Sequence, residues 1–139
     1  MRRVADLTQE VFPRESRVAI TASGESLLLT SRAATTLAVI TNELITNALK
    51  HGRPASDGIR RIEVRVWREA SRLLLEVWNS GNPVPEGFTP PAGQSGMGLP
   101  LVQGLIVDQY GGHFSLGPAR EGTAARVEVE ISRCLPKAA

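Results

Sequence analysis

The sequence predicts a two-layer α/β sandwich, a mixed and mostly antiparallel sheet covered on one face by helices. Three observations carry it. After Thr30 and Ser31 a long pattern of helical period runs to His51. Two stretches then alternate with period two, Ile62, Val64 and Val66 in the first and Leu73, Leu75 and Val77 in the second. Only a short polar link around Ala70-Ser71 separates them, which predicts an antiparallel hairpin. Strands that pair this way, with helices able to cover one face, close a core in two layers.

The elements follow in chain order. Residues 1–12 read as a short helix broken by Pro13, and residues 1–16 as the tail of a preceding helical domain on a single domain spanning 1–139. Val18-Ala19-Ile20-Thr21 and Leu27-Leu28-Leu29-Thr30 flank Ser23-Gly24 as a hairpin would. Thr30 and Ser31 are good N-caps for the long helix, and Gly52 followed by Pro54 supplies its stop. Residues 80–95 are rich in Gly, Pro and Ser and read as a loop. A second helix is expected from about Gly98 to Tyr110, ended by Gly111-Gly112, with Pro100 tolerated in its first turn. Val127, Val129 and Ile131 mark a last strand by alternating with Arg126, Glu128 and Glu130.

Composition bounds the function. A chain of 139 residues with 42% hydrophobic and 22% charged residues is long enough for one domain with a real core. Its single cysteine, Cys134, excludes an internal disulfide, and no Cys/His cluster has metal-ligand spacing. No apolar run approaches the roughly 18 residues of a membrane span. The N-terminus, Met1-Arg2-Arg3-Val4-Ala5-Asp6, lacks a signal peptide's apolar stretch. A cytoplasmic domain without membrane contact is the expectation. The net charge is +2, and the basic residues are scattered rather than gathered in one run with aromatics, so no nucleic-acid partner is expected.

The long helix carries the first chemistry. Leu37, Ile40, Leu44 and Ala48 form its apolar stripe. Glu43, Asn47 and Lys50 fall within an arc of roughly 60° bordering that stripe, where a cleft between helix and sheet can open. Magnesium takes oxygen ligands, keeps several waters and needs few protein ligands beside substrate phosphates. The Asn47 amide oxygen suits it, Glu43 can orient or deprotonate a group one turn away, and Lys50 can neutralise phosphate.

Asn42-Glu43-Leu44-Ile45-Thr46-Asn47-Ala48-Leu49-Lys50-His51-Gly52 resembles the N box of the gyrase–Hsp90–histidine kinase–MutL superfamily. That resemblance implies a Bergerat-type fold, Asn47 on Mg²⁺, Glu43 at the acid/base or water-positioning place, and Lys50 and His51 near the phosphates of ATP. Val77-Trp78-Asn79-Ser80-Gly81-Asn82-Pro83 resembles the first glycine box, whose carboxylate accepts from the adenine amino group. Asn79 shares strand parity with Val77 and should point inward, where a polar side chain needs a partner. Here Asn79 replaces the carboxylate and Pro83 the second glycine. Gly96-Met97-Gly98-Leu99 resembles the second glycine box, which lets backbone N–H groups approach phosphates before a helix. Gly122-Thr123 matches the pair that closes the family's fold, Thr123 either donating to a phosphate or shaping the turn. The segment Pro85 to Ser95 would be a short ATP lid.

The resemblance implies the catalytic, Mg-ATP-binding domain of a two-component sensor histidine kinase. Its partners would be a histidine-bearing dimerisation domain and a response regulator. The only histidines are His51, inside the N box, and His113, so the acceptor would lie elsewhere. The alternatives are an anti-sigma factor serine kinase, whose partner would be a sigma factor, and a degenerate nucleotide-binding module without phosphotransfer.

Overall fold

The computed structural model describes residues 2–3, 7–11, 17–81, 83 and 102–136. Its strands are β1 (Arg2–Arg3), β2 (Leu7–Val11), β3 (Arg17–Gly24), β4 (Ser26–Leu27), β5 (Ile59–Glu69), β6 (Arg72–Ser80), β7 (His113–Ala119) and β8 (Gly122–Glu130). Helix α1 spans Ser31–His51 and helix α2 spans residues 102–110. Six strands form one sheet in the order β2-β3-β5-β6-β8-β7. All its pairings are antiparallel except β3 with β5. The sandwich is therefore mixed and mostly antiparallel, as its alternation predicts.

Strand parity decides the core. Ile62, Val64, Leu73, Leu75, Val77, Val127 and Val129 are buried on the inner face, against Ile40, Leu44 and Ala48 of α1 and Val102 and Ile106 of α2. Leu37 of the predicted stripe is partly buried beside them. Thr30 caps α1, its Oγ1 accepting from the Ala33 amide at 3.1 Å. The Thr30 amide donates to the Cys134 carbonyl, which ties the C-terminal turn to the start of the helix.

Three expectations change. Residues 2–3 and 7–11 are strands, not part of a helix: β2 pairs residue by residue with β3, from Leu7 with Ala22 to Val11 with Val18. A sheet edge with open backbone groups draws a neighbouring segment into pairing, and that outweighs local preference. Ser23-Gly24 is not a hairpin turn either. Gly24 continues β3 beside Val66 of β5, and β4 pairs with β1 instead. Finally, Leu105–Gln109 of α2 are π-helical. The helix ends at Tyr110 as expected, and the Tyr110 hydroxyl meets Thr36 Oγ1 of α1 at 3.3 Å. The expected start near Gly98 lies outside the described residues.

Among the described residues no helix is long and apolar enough to cross a membrane. Cys134 is 1% exposed, and burial pushes its thiol pKa above the usual value, so the neutral, unreactive form prevails near neutral pH. A thiol reagent such as Ellman's should label native protein only as fast as it opens. Immediate stoichiometric labelling would contradict this packing.

Candidate nucleotide site

Burying Ile40, Leu44 and Ala48 fixes the rotation of α1 about its axis. Glu43 and Asn47 are thereby left half-buried at the border of the stripe, with Lys50 and His51 exposed in the last turn. Lys50, His51, Arg53 and Arg60 all lie at this C-terminal end, and the Arg60 guanidinium donates to the Leu49 carbonyl. Cations there suit both the negative helix end and a phosphate ligand. The apolar crevice of about 380 Å³ under the first half of α1, lined by Leu37, Leu73 and Val129, holds none of the candidate ligand-binding side chains.

Where α1 stops, the chain is latched to the end of β6. The Arg53 amide donates to the Ser80 carbonyl at 3.0 Å. The Ser80 hydroxyl donates to the Arg53 carbonyl at 2.8 Å and accepts from the Arg61 amide at 2.9 Å. Gly52, buried at the helix end, packs on Asn79: a Cβ there would lie 2.7 Å from the Ala48 carbonyl oxygen and 3.2 Å from Asn79 Nδ2. Its φ is −67°, so close packing rather than a left-handed turn requires the glycine.

Asn79 is buried on the inner face, as its parity predicts. Its Nδ2 donates to the Ser80 carbonyl at 3.2 Å, which leaves Oδ1 as the end of the amide suited to accept. Thr123, also buried, sits directly across from Asn79 in the β6–β8 ladder. Gly81 follows with φ +69°, a conformation favouring glycine, and a Cβ would come 2.8 Å from the Arg53 Cβ and carbonyl oxygen. The Gly81 amide donates to the Glu121 carbonyl at 3.1 Å.

The fold thus gathers Asn79, Gly81 and Thr123 against the end of the helix that carries Glu43, Asn47, Lys50 and His51. Gly96, Met97, Gly98 and Leu99, with the lid expected from Pro85 to Ser95, lie outside the described residues. Among the described residues no group of three or more His, Cys, Asp or Glu could hold a metal ion. A cation here would rest on few protein ligands and on substrate oxygens, the manner of magnesium. The latch of Arg53, Ser80 and Glu121 has no counterpart in the sequence reading. Alternation alone sends Ser80 outward, and only the approach of two distant segments gives it partners.

Comparison with known proteins bears on the family and the fold. Residues 33–133 match the family model "Histidine kinase-, DNA gyrase B-, and HSP90-like ATPase". The chain is 27% identical over 132 residues to the sensor histidine kinase PdtaS of Mycobacterium tuberculosis, covering 94% of this chain but only 26% of that relative. Among solved structures it resembles the blue-light activated histidine kinase EL346 of Erythrobacter litoralis, with TM-score 0.69 and 19% identity over 84% of this chain and 36% of that one. The catalytic domain of the histidine kinase ThkA superposes with TM-score 0.61 and 23% identity, over 78% of this chain and 75% of that one. The chain therefore belongs to the family of histidine kinase-, DNA gyrase B- and HSP90-like ATPases.

Proposed function

We propose that the chain is the catalytic domain of a two-component sensor histidine kinase, one domain over 1–139, which binds Mg-ATP and donates the γ-phosphate to a histidine on a separate dimerisation domain. The observation that carries this reading is the seating of buried Asn79 against Gly52, which joins the first glycine box to the end of the N-box helix. An inward amide with its acceptor end available suits the adenine amino group.

In this reading Asn79 Oδ1 accepts from adenine, with Thr123 beside it and Gly81 turning the chain away from the base. Asn47 would hold Mg²⁺ through its amide oxygen, and the ion would supply positive charge against the phosphates. Lys50 and His51 neutralise phosphate, joined by the backbone amides of Gly96, Met97, Gly98 and Leu99. Glu43 orients the reacting group. Phosphoryl transfer asks mainly for positioning and charge neutralisation, and these residues supply both. The site faces the cytoplasm in such a kinase, and a response regulator then takes the phosphate. ThkA has been crystallised with a response regulator, TrrA.

The test is phosphotransfer from labelled ATP to a supplied acceptor-helix domain bearing a histidine. Transfer supports the reading. Tight ATP binding with no transfer to any acceptor would instead mark a degenerate module, and transfer to a serine of an anti-sigma antagonist would mark an anti-sigma kinase. A second measurement checks the base contact. Asn79→Ala removes the acceptor and should weaken ATP binding about tenfold, the worth of one neutral hydrogen bond. Unchanged affinity by calorimetry would remove Asn79 from the adenine site.

A further inference from the structure

Asn79 stands where the first glycine box ordinarily carries a carboxylate, and its surroundings supply a reason. The ladder between β5 and β6 ends at the Ile62–Asn79 pair. One residue further on, the Arg61 amide donates to the Ser80 hydroxyl instead of to the main chain. That hydroxyl donates to the Arg53 carbonyl, and the Arg53 amide donates back to the Ser80 carbonyl. The loop between Arg53 and Arg61 is closed on itself. The Ala55 amide donates to the Ile59 carbonyl and the Gly58 amide to the Ala55 carbonyl, both at 2.9 Å. Ser80 is 3% exposed, where a lost partner is not replaced by water. Its carbonyl is therefore held in one place.

The same carbonyl accepts from Asn79 Nδ2 at 3.2 Å. A Cβ on Gly52 would lie 3.2 Å from Nδ2, so the amide has little room to swing toward α1. An amide has one donating and one accepting end. Turning that of Asn79 over would bring Oδ1 to the Ser80 carbonyl, two acceptors with no proton between them, at a residue only 8% exposed. A carboxylate in this position would meet the same opposition with one of its oxygens. The amide avoids it by giving its donor to Ser80 and keeping an acceptor for a ligand.

We propose, on the reading that Asn79 meets the base, that the Arg53–Ser80 latch is a selectivity device. It locks the Asn79 amide with Oδ1 toward the nucleotide, so the site takes purines with an amino group at C6 and rejects those with a carbonyl there. An unlocked asparagine suits either purine, because it donates to a C6 carbonyl as readily as it accepts from a C6 amino group. Locked, it only accepts. A 6-oxo purine then sets its own oxygen against Oδ1 in a buried place. Polar groups left unpaired in this way allow a site to reject a ligand of nearly the same shape. Ser80 touches no nucleotide and is a positioning residue, acting through Asn79.

Inosine triphosphate isolates the effect. Its base carries a carbonyl and an N–H where that of ATP has an amino group and an unprotonated ring nitrogen. Calorimetry of the full chain with each nucleotide and Mg²⁺ reads the ratio of their affinities, with a thermal melt beside it. Wild type should favour ATP about 100-fold, the effect of a lost hydrogen bond with an acceptor left opposed. Ser80→Ala takes the hydroxyl out of the latch and should narrow that ratio about tenfold, ATP weakening and inosine triphosphate gaining. Ser80→Thr keeps the hydroxyl and should keep the ratio near that of wild type. A Ser80 that only supports the fold would weaken both nucleotides alike in Ser80→Ala, and an unchanged ratio overturns the proposal. Asn79→Ser decides the matter should Ser80→Ala misfold. Its hydroxyl turns to donate or accept, so the ratio should fall to within about threefold, and a ratio near wild type there overturns the proposal too. Equal affinities in wild type overturn the lock but leave ATP binding and the kinase reading standing. Binding of neither nucleotide overturns that reading and the lock with it.

Discussion

Replacing Asn47 by alanine should lower magnesium-dependent ATP affinity by about 100-fold or more while the protein stays folded. Loss of even an outer-shell group around a metal commonly costs 10–100-fold, and in the proposed function Asn47 would touch the ion itself. Among the described residues no group of three or more His, Cys, Asp or Glu could take the ion over. Stability should hold, because Asn47 is only half-buried and alanine is the better helix former. Asn47→Asp keeps an oxygen but sets a carboxylate against the triphosphate, and should weaken binding less. Calorimetry with and without Mg²⁺, beside a thermal melt, reads both effects. Wild-type magnesium dependence in Asn47→Ala would move the ion to another ligand. Glu43→Gln separates the roles further: binding should survive and transfer to the acceptor histidine should fall.

What the sequence reveals of this site depends on how locally each residue's placement is decided. The inward aim of Asn79 is legible because a strand's period of two carries parity from Leu73 through Leu75 and Val77 without error. The face of Glu43 and Asn47 is legible for the same reason at period 3.6, once Ile40, Leu44 and Ala48 choose the buried side. Pairing partners are not local. Ser23-Gly24 carries the composition of a turn, yet Gly24 runs on beside Val66 because β5 offers a parallel edge 42 positions later, at 66 − 24. Residues 7–11 become a strand only because β3 is there to receive them. The Arg53–Ser80 latch joins the ends of two elements, and no pattern within either one announces it. Thr123 gains its meaning from the register alone, which sets it across from Asn79.

Gly122→Ala should be the most damaging small substitution at the Asn79 end of β6. Gly122 begins β8 opposite Ser80, in the ladder that also sets Thr123 across from Asn79. An added methyl would fall well inside the contact distance of the Asn79 carbonyl oxygen and 3.0 Å from Trp78 Nε1. Neither neighbour can give way. The carbonyl belongs to the backbone of a strand flanked by β5 and β8, and the indole is held by the Ala119 carbonyl. The strands must part instead, at a cost of about 3 kcal/mol, the upper end for overpacking. Against a total stability of about 5–15 kcal/mol that is a large share, and it corresponds to a fall of roughly 10 °C in melting temperature. Parting β6 from β8 also strains the Gly81–Glu121 hydrogen bond and displaces Asn79, so ATP affinity should drop even in the fraction that stays folded. Trp78 lies on the opposite face of the same strand, and its emission should shift in the absence of any ligand. A thermal melt, calorimetry and an emission spectrum read the three effects separately. A melting temperature within about 3 °C of wild type, less than a 1 kcal/mol change produces, would mean that β6 and β8 do not meet in this register.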